Sequence, residues 1–145
     1  MVTVSLGGND YNHQGSNVPS NATFEKSYNH FSLTLFQSYD KAALAQRVAA
    51  PRAFVALCGM GTENASKLHP DNNRCRPCPF VENSLLAFKK EHPELSQRIH
   101  YIFVPCDGSV VTGHGDIGCV GHKNRKGQQE VAEFVAPLLG KIMGW

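Results

Sequence analysis

Two short apolar runs, at residues 54–58 and 99–104, constrain the fold of this chain more than any other feature. The first is continuous, as in a strand covered on both faces, and the second is the strongest strand signal in the sequence. Between them, four apolar residues recur at helical spacing before Pro93: Phe80, Val81, Leu85 and Phe88. A helical crossover of this length favours parallel pairing of the two strands, with helices on both faces. The sequence therefore predicts an α/β fold.

The other predicted elements are weaker. Alternating apolar and polar residues predict a strand at 31–36, and Asp40 is placed to cap a following helix that Pro51 ends. Residues 107–127 carry six glycines and predict a loop, and an amphipathic pattern from Val131 to Met143 predicts a last helix with a kink or break at Pro137. Residues 1–28, rich in Asn, Gly, Ser and His, predict an irregular N-terminal arm before a domain at 29–145.

Composition limits the classes of function. The chain has 145 residues, 41% of them hydrophobic and 18% charged, as expected of one soluble globular domain. A formal charge of +2 is too small to indicate nucleic-acid binding, and no apolar stretch approaches the ~20 residues of a membrane span. Without a visible secretory signal, the five cysteines predict a reducing compartment, cytoplasmic or an organellar matrix, rather than secretion.

The sequence Cys75-Arg76-Pro77-Cys78 predicts a chemistry. It lies where the apolar helical pattern begins, and backbone N–H groups at a helix N-terminus favour a thiolate over a thiol. Arg74 and Arg76 add positive charge beside the first cysteine. The spacing also lets the two sulfurs form one disulfide. Dithiol redox chemistry at Cys75 and Cys78 is therefore the leading hypothesis.

With the Cys-x-Pro-Cys motif between these two strands, residues 31–106 resemble the thioredoxin superfamily. The long loop before the motif is similar to that of the small cytosolic thioredoxin-related proteins. The resemblance implies a thioredoxin-like α/β fold, with a central, mostly parallel sheet flanked by helices and an abbreviated C-terminal half. It also implies a thiol–disulfide oxidoreductase in which Cys75 attacks and Cys78 resolves the mixed disulfide. The implied partners are a protein or small-molecule disulfide and a reductase.

One alternative is a zinc-stabilised domain. A CxxC pair is half of a zinc site, and Cys119 and His122 offer a second pair of ligands to complete a site with Cys75 and Cys78. His69 and Cys106 are further candidate ligands. Cys58 and Cys106 are otherwise interpreted as structural residues, because each lies in or at the end of an apolar strand.

A second alternative is a redox-silent, thioredoxin-like subunit of a larger protein assembly. Thioredoxin-like enzymes place a cis-proline beside the cysteine pair, and residues 108–128 contain no proline. A shortened sheet would leave an edge for a partner chain to cover, and Trp145 would suit an interface.

Overall fold

A computed structural model describes residues 1–8, 10–11, 18–59 and 75–145. Within these residues, strands β1 (Val2–Val4), β2 (Phe54–Gly59) and β3 (Ile99–Val104) form one parallel sheet in the order β1-β2-β3. The helices, in chain order, are α1 (Asn21–Gln46), α2 (Cys78–Glu91) and α3 (Arg125–Met143), with short 3-10 helices at Pro93–Arg98 and Cys119–Gly121. The predicted α/β class is confirmed, as are β2, α2 and β3. None of the described helices combines the length and the apolar character needed to cross a membrane.

Strands β2 and β3 pair along their whole length, from Phe54 opposite Ile99 to Gly59 opposite Val104. Gly59 adopts a positive φ of 108°, and a Cβ at this position would collide with the carbonyl oxygen of Val104. Glycine is therefore required where β2 turns away from its neighbour. The confirmed parallel pairing places the ends of both strands at the same edge of the sheet.

Helices α1 and α2 cover one face of the sheet with an aromatic layer. The ring centroid of Phe36 on α1 lies 3.7 Å from that of Phe54 on β2 and 5.6 Å from that of Phe88 on α2. All three rings are almost fully buried. Each buried aromatic side chain of this size stabilises the fold by about 1.5–3 kcal/mol. This layer fixes both helices against the sheet.

Helix α3 covers the opposite face, where Val135 packs with Val55, Ile102 and Val104. The predicted amphipathic face is confirmed, but the predicted break at Pro137 is wrong, because α3 continues through this residue as one helix. Apolar side chains on both sides of Pro137 pack on the same face of the sheet, so both parts of the helix are anchored there. The exposed Trp145 follows the helix end and keeps 82% of its surface accessible.

The prediction of a strand at 31–36 is wrong, because these residues lie in α1. The side chain of Ser20 caps the helix by accepting a hydrogen bond from the backbone N–H of Thr23, and Arg47 ends it in the left-handed conformation. Asp40 is therefore inside α1 and does not begin a helix. The helix forms because its buried residues recur mostly four positions apart: Phe24, Tyr28, Ser32 and Phe36.

The predicted irregular arm at residues 1–28 is also wrong in part. Val2–Val4 forms an edge strand that pairs in parallel with β2, and α1 already begins at Asn21. Between them, Tyr11 is fully buried and packs edge-on against the ring of Phe24. This N-terminal segment therefore contributes to the core.

One ion pair connects α1 to the segment before β3. The guanidinium of Arg98 donates two hydrogen bonds, of 2.8 and 3.0 Å, to the two carboxylate oxygens of Asp40. Its Nε donates to the carbonyl of Pro51 at 3.2 Å, and its Cζ lies 5.3 Å from the ring centroid of Phe36. The hydrogen bond from Arg98 holds the pKa of Asp40 below its usual range, although burial raises it slightly.

Replacing Arg98 with alanine is expected to lower the free energy of unfolding by about 1–2 kcal/mol and the Tm by about 3–6 °C. The change removes the bidentate pair and the contact with the aromatic layer. Arg52→Ala, at an exposed arginine, is the matched control and is expected to stay within about 0.5 kcal/mol. Thermal unfolding followed by circular dichroism measures both.

The same pair has a predicted pH dependence. Because the pKa of Asp40 is lower in the folded chain than in the unfolded one, its contribution is complete above the ordinary carboxyl pKa of about 4 and is lost as the pH falls through the lowered value. The difference in unfolding free energy between the natural protein and Asp40→Asn is thus expected to shrink below about pH 4. An unchanged difference at pH 3 would contradict this assignment.

Candidate functional site

The loops that follow the three parallel strands meet at the carboxyl edge of the sheet. A Cβ at Gly7, in the loop after β1, would lie 3.3 Å from Cβ of Pro77, in the turn before α2. The guanidinium carbon of Arg76 in that turn lies 5.5 Å from the ring centroid of Tyr11. Ligands of parallel α/β sheets bind at this edge. We call the described residues of these loops, 5–8, 10–11, 75–77 and 105–124, the carboxyl-edge cluster.

The two cysteines of the Cys-x-Pro-Cys motif are each bonded to a partner outside the motif. Cys78 forms a disulfide with Cys58, and Cys75 forms one with Cys106. Their Cα atoms are 5.4 and 6.2 Å apart, within the range of ordinary disulfides. Cys58, interpreted from the sequence as a structural core residue, is buried as expected and also forms a disulfide. The catalytic roles of Cys75 and Cys78 stay a prediction.

Burial distinguishes the two disulfides. Cys58 and Cys78 are only 4% and 2% exposed and belong to the core beneath α1 and α2. Cys75 is half-buried, as the prediction of a more exposed first cysteine requires, and Cys106 is half-buried as well. Cys75 and Cys78 both line an open cleft of about 490 Å³, but only Cys75 of the two keeps more than a few per cent of its surface accessible. One disulfide is therefore internal, and the other lies at the surface of the cluster.

Tyr101 supports the turn that holds the motif. Its hydroxyl donates a 3.2 Å hydrogen bond to the carbonyl of Cys78, and the backbone N–H of Cys78 donates to the carbonyl of Cys75 at 3.0 Å. Burial, with a smaller effect of the nearby Glu82 carboxylate, raises the pKa of Tyr101 to about 12. The phenol therefore stays protonated at neutral pH and can donate this bond.

The loop after β3 is organised around the buried carboxylate of Asp116. Its Oδ2 accepts 2.7 Å hydrogen bonds from the backbone N–H and the hydroxyl of Thr112, and a 3.2 Å bond from the N–H of Gly113. Burial raises the pKa of Asp116, but these donors together outweigh it, and the net pKa is lower than usual. This buried side chain thus holds the turn at 112–116 through its hydrogen bonds to Thr112 and Gly113.

Residues 116–124, which we call the His122 loop, follow this carboxylate. Ile117 and Lys123 form an antiparallel bridge, and the N–H of Gly118 donates to the carbonyl of His122 at 2.7 Å. A 3-10 turn, Cys119–Gly121, forms the tip. The side chains of Cys119 and His122 are both exposed there. The loop therefore carries an exposed thiol and an exposed imidazole on a backbone that its own hydrogen bonds hold in place.

Asn124 and Gly127 anchor the His122 loop to α3. The Asn124 side chain caps the helix by accepting hydrogen bonds from the N–H groups of Lys126 and Gly127, and its Nδ2 donates to the carbonyl of Gly115 at 2.9 Å. A Cβ at Gly127 would collide with the carbonyl oxygen of Asp116. The helix can approach the loop this closely only because residue 127 lacks a side chain.

The structure does not assemble the predicted zinc site. Among the described residues, no three His, Cys, Asp or Glu side chains are close enough together to hold a metal ion. Cys75 and Cys78 are bonded in disulfides, and zinc is bound by thiolates. Cys119 and His122 share one loop, as their spacing suggested, whereas His69 lies outside the described residues.

The anchoring residues Asp116, Asn124 and Gly127 were not identified from the sequence. The available signal was local: Asn124 is a good N-cap, and the glycines around Asp116 favour a turn. The contact between Gly127 and Asp116 joins two elements, and no local pattern indicates it.

Comparison with known proteins gives no relative from which a role for this site could be inferred: no family model, no curated protein and no solved structure matches the chain.

Two glycines in α3 are expected to respond oppositely to substitution. Gly127→Ala forces the helix away from Asp116 and is expected to cost about 1–3 kcal/mol. Gly140→Ala, whose Cβ would lie 3.9 Å from the Trp145 carbonyl oxygen, an ordinary contact, is expected to stabilise by about 0.5–1 kcal/mol through the lower backbone entropy of the unfolded chain. Urea unfolding of the two variants measures both. A neutral Gly127→Ala would contradict the assigned contact.

Proposed function

We propose that this chain is a hydrolase and that His122 is the residue that transfers the proton. The observation that carries the proposal is the exposed imidazole on a loop fixed by Asp116, Asn124 and Gly127. Imidazole is the side chain best suited to exchange protons near neutral pH. Its position at the carboxyl edge of a parallel sheet is where such enzymes hold their reacting groups.

The rigidity of the His122 loop supports a chemical role. The tip of this loop is exposed at Gly118, Cys119, Gly121 and His122. Its backbone hydrogen bonds therefore hold exposed residues in place rather than core residues. Catalytic groups must be held within about 0.5 Å of their productive positions, and supporting hydrogen bonds provide this. The bonds around Asp116 and Asn124 are of that kind, and they also hold the loop against α3.

The loop after β1 offers the second part of a hydrolytic site. Gly7 has a φ of 105°, and the N–H of Asp10 donates to its carbonyl at 3.2 Å to close a turn. Among the described residues other than its chain neighbours, no atom lies within 4 Å of the position where Gly8 would carry a Cβ, which leaves room there for a ligand beside the backbone. Backbone N–H groups in such turns stabilise the oxyanion that forms during acyl transfer.

These parts favour ester hydrolysis. His122 would take the proton from the attacking oxygen, of water or of a hydroxyl group, as that oxygen bonds to the acyl carbon, and would return it to the departing alcohol. Asp116 acts through the position of the loop and is a positioning residue.

The test compares two histidines near the same loop. The full-length natural protein is assayed with p-nitrophenyl acetate, together with His122→Gln and His114→Gln. His122→Gln is expected to lower kcat/KM at least about 100-fold, the usual effect of removing a general base. His114, exposed and outside the His122 loop, serves as the control and is expected to be within about twofold of the natural protein. Equal activities of the three proteins would overturn the proposal.

Thiol–disulfide oxidoreductase activity is the second candidate, favoured by the half-buried Cys75 beside the open cleft. In this reading the reacting disulfide is Cys75–Cys106. A dithiol reductant would reduce it, and Cys75 would then attack a substrate disulfide and be released by a second thiol. The thioredoxin-like assignment belongs to this candidate and rests on the position of the motif between β2 and β3.

Reduction of insulin by dithiothreitol, followed as turbidity, tests the second candidate. If it is correct, the protein accelerates the reaction and Cys75→Ser abolishes the acceleration. Cys119→Ser, which removes an exposed cysteine outside both disulfides, is the control and is expected to keep full activity. No acceleration by the natural protein would contradict this reading.

A further inference from the structure

The Cys75–Cys106 disulfide joins two loops, whereas Cys58–Cys78 joins two core elements. Cys58 lies in β2 and Cys78 is the first residue of α2. Cys75 lies in the turn before α2, and Cys106 follows the end of β3. Loops open locally at a lower free-energy cost than core strands and helices. The two bonds therefore differ in how readily a reductant reaches them.

Within the described residues, Cys106 joins the start of the segment after β3 to the turn before α2, and Val110 packs on the core beneath α3. After Val104, which is fully buried, the next fully buried side chain is that of Val111. The residues between them are half-buried or exposed, and Gly108 adopts a positive φ of 85°. The N–H of Ser109 donates a 2.9 Å hydrogen bond to the Asp107 carboxylate, and this bond lies within the segment itself.

We infer that Cys75–Cys106 is a redox-sensitive latch, which a dithiol opens while the buried Cys58–Cys78 bond stays closed. One thiolate of the dithiol attacks the sulfur of Cys106 and displaces the Cys75 thiolate. The second thiol then attacks the mixed disulfide and releases Cys106. The dithiol loses two electrons and two protons, and the two cysteines gain them. Opening the latch frees residues 105–110 from the turn before α2.

The surroundings of Cys75 favour a cleavage in which Cys75, rather than Cys106, leaves as the thiolate. Arg76 is its neighbour in the chain, and Cys78 begins α2, so Cys75 lies just before a helix N-terminus. Both place positive charge near the departing sulfur and stabilise the thiolate. A disulfide whose leaving thiol has a low pKa is cleaved faster. The inference does not rest on the proposed hydrolase; it concerns the same disulfide as the second candidate but requires no substrate disulfide.

Stepwise reduction of the full chain tests the latch. The protein is incubated with increasing dithiothreitol, quenched with iodoacetamide and mapped by mass spectrometry. Cys75 and Cys106 are expected to be alkylated at reductant concentrations at least about tenfold below those that expose Cys58 and Cys78. Simultaneous reduction, earlier reduction of Cys58–Cys78, or a Cys75–Cys78 bond in the partly reduced protein would each overturn the inference.

Cleavage at Asp107 reports the released segment. An endoproteinase that cuts before aspartate is expected to cleave there at least about tenfold faster once the latch is reduced. Cys106→Ser is expected to show the faster cleavage without reductant, and Cys119→Ser to match the natural protein. Unchanged cleavage in a folded Cys106→Ser would overturn the inference. If Cys106→Ser does not fold, the reduction series on the natural protein decides alone.

Discussion

The parallel ladder between β2 and β3 is the interaction on which the remaining structure depends. It carries six residue pairs, and each strand is covered by α1 and α2 on one face and by α3 on the other. Because the strands are in register, they end together, and the chain leaves both at one edge of the sheet. Gly59 allows this close ending beside Val104. The positions of Cys58 and Cys106, and of the loop that leads to His122, follow from where the two strands stop.

The sequence predicts the elements built on this ladder because their signals are local. A continuous apolar run or a repeated helical face is visible in one segment, and β2, α2 and β3 were found this way. The strand prediction at 31–36 is wrong because Phe31, Leu33 and Leu35 alternate like a strand, whereas the buried residues there, Ser32 and Phe36, continue a helical pattern that begins at Phe24. Strand β1 was missed because three residues are too few for a pattern. Residues Val2–Val4 form a strand because they pair with β2.

The candidate site was less predictable than the fold, since it consists of contacts between distant segments. The position of the Cys-x-Pro-Cys motif at the start of α2 was correct, but connectivity cannot be deduced from cysteine spacing. The partners Cys58 and Cys106 come from the ends of two neighbouring strands, and only the sheet brings them to the motif. Likewise, the spacing of Cys119 and His122 suggests a pair of metal ligands. The contact between Asp116 and Gly127 that supports the His122 loop forms only on folding, so the sequence does not show it.

The two chemical features of the carboxyl edge are attached to different parts of the fold. The Cys75–Cys106 disulfide links the segment after β3 to the turn before α2, on the side of the aromatic layer. The His122 loop is instead held to α3, through the Asn124 cap and the close approach of Gly127 to Asp116. Val111, fully buried, lies between the two attachments and separates them along the chain. The bonds that position His122 do not include this disulfide, so the proposed redox latch and the proposed proton transfer rest on separate attachments of the same segment.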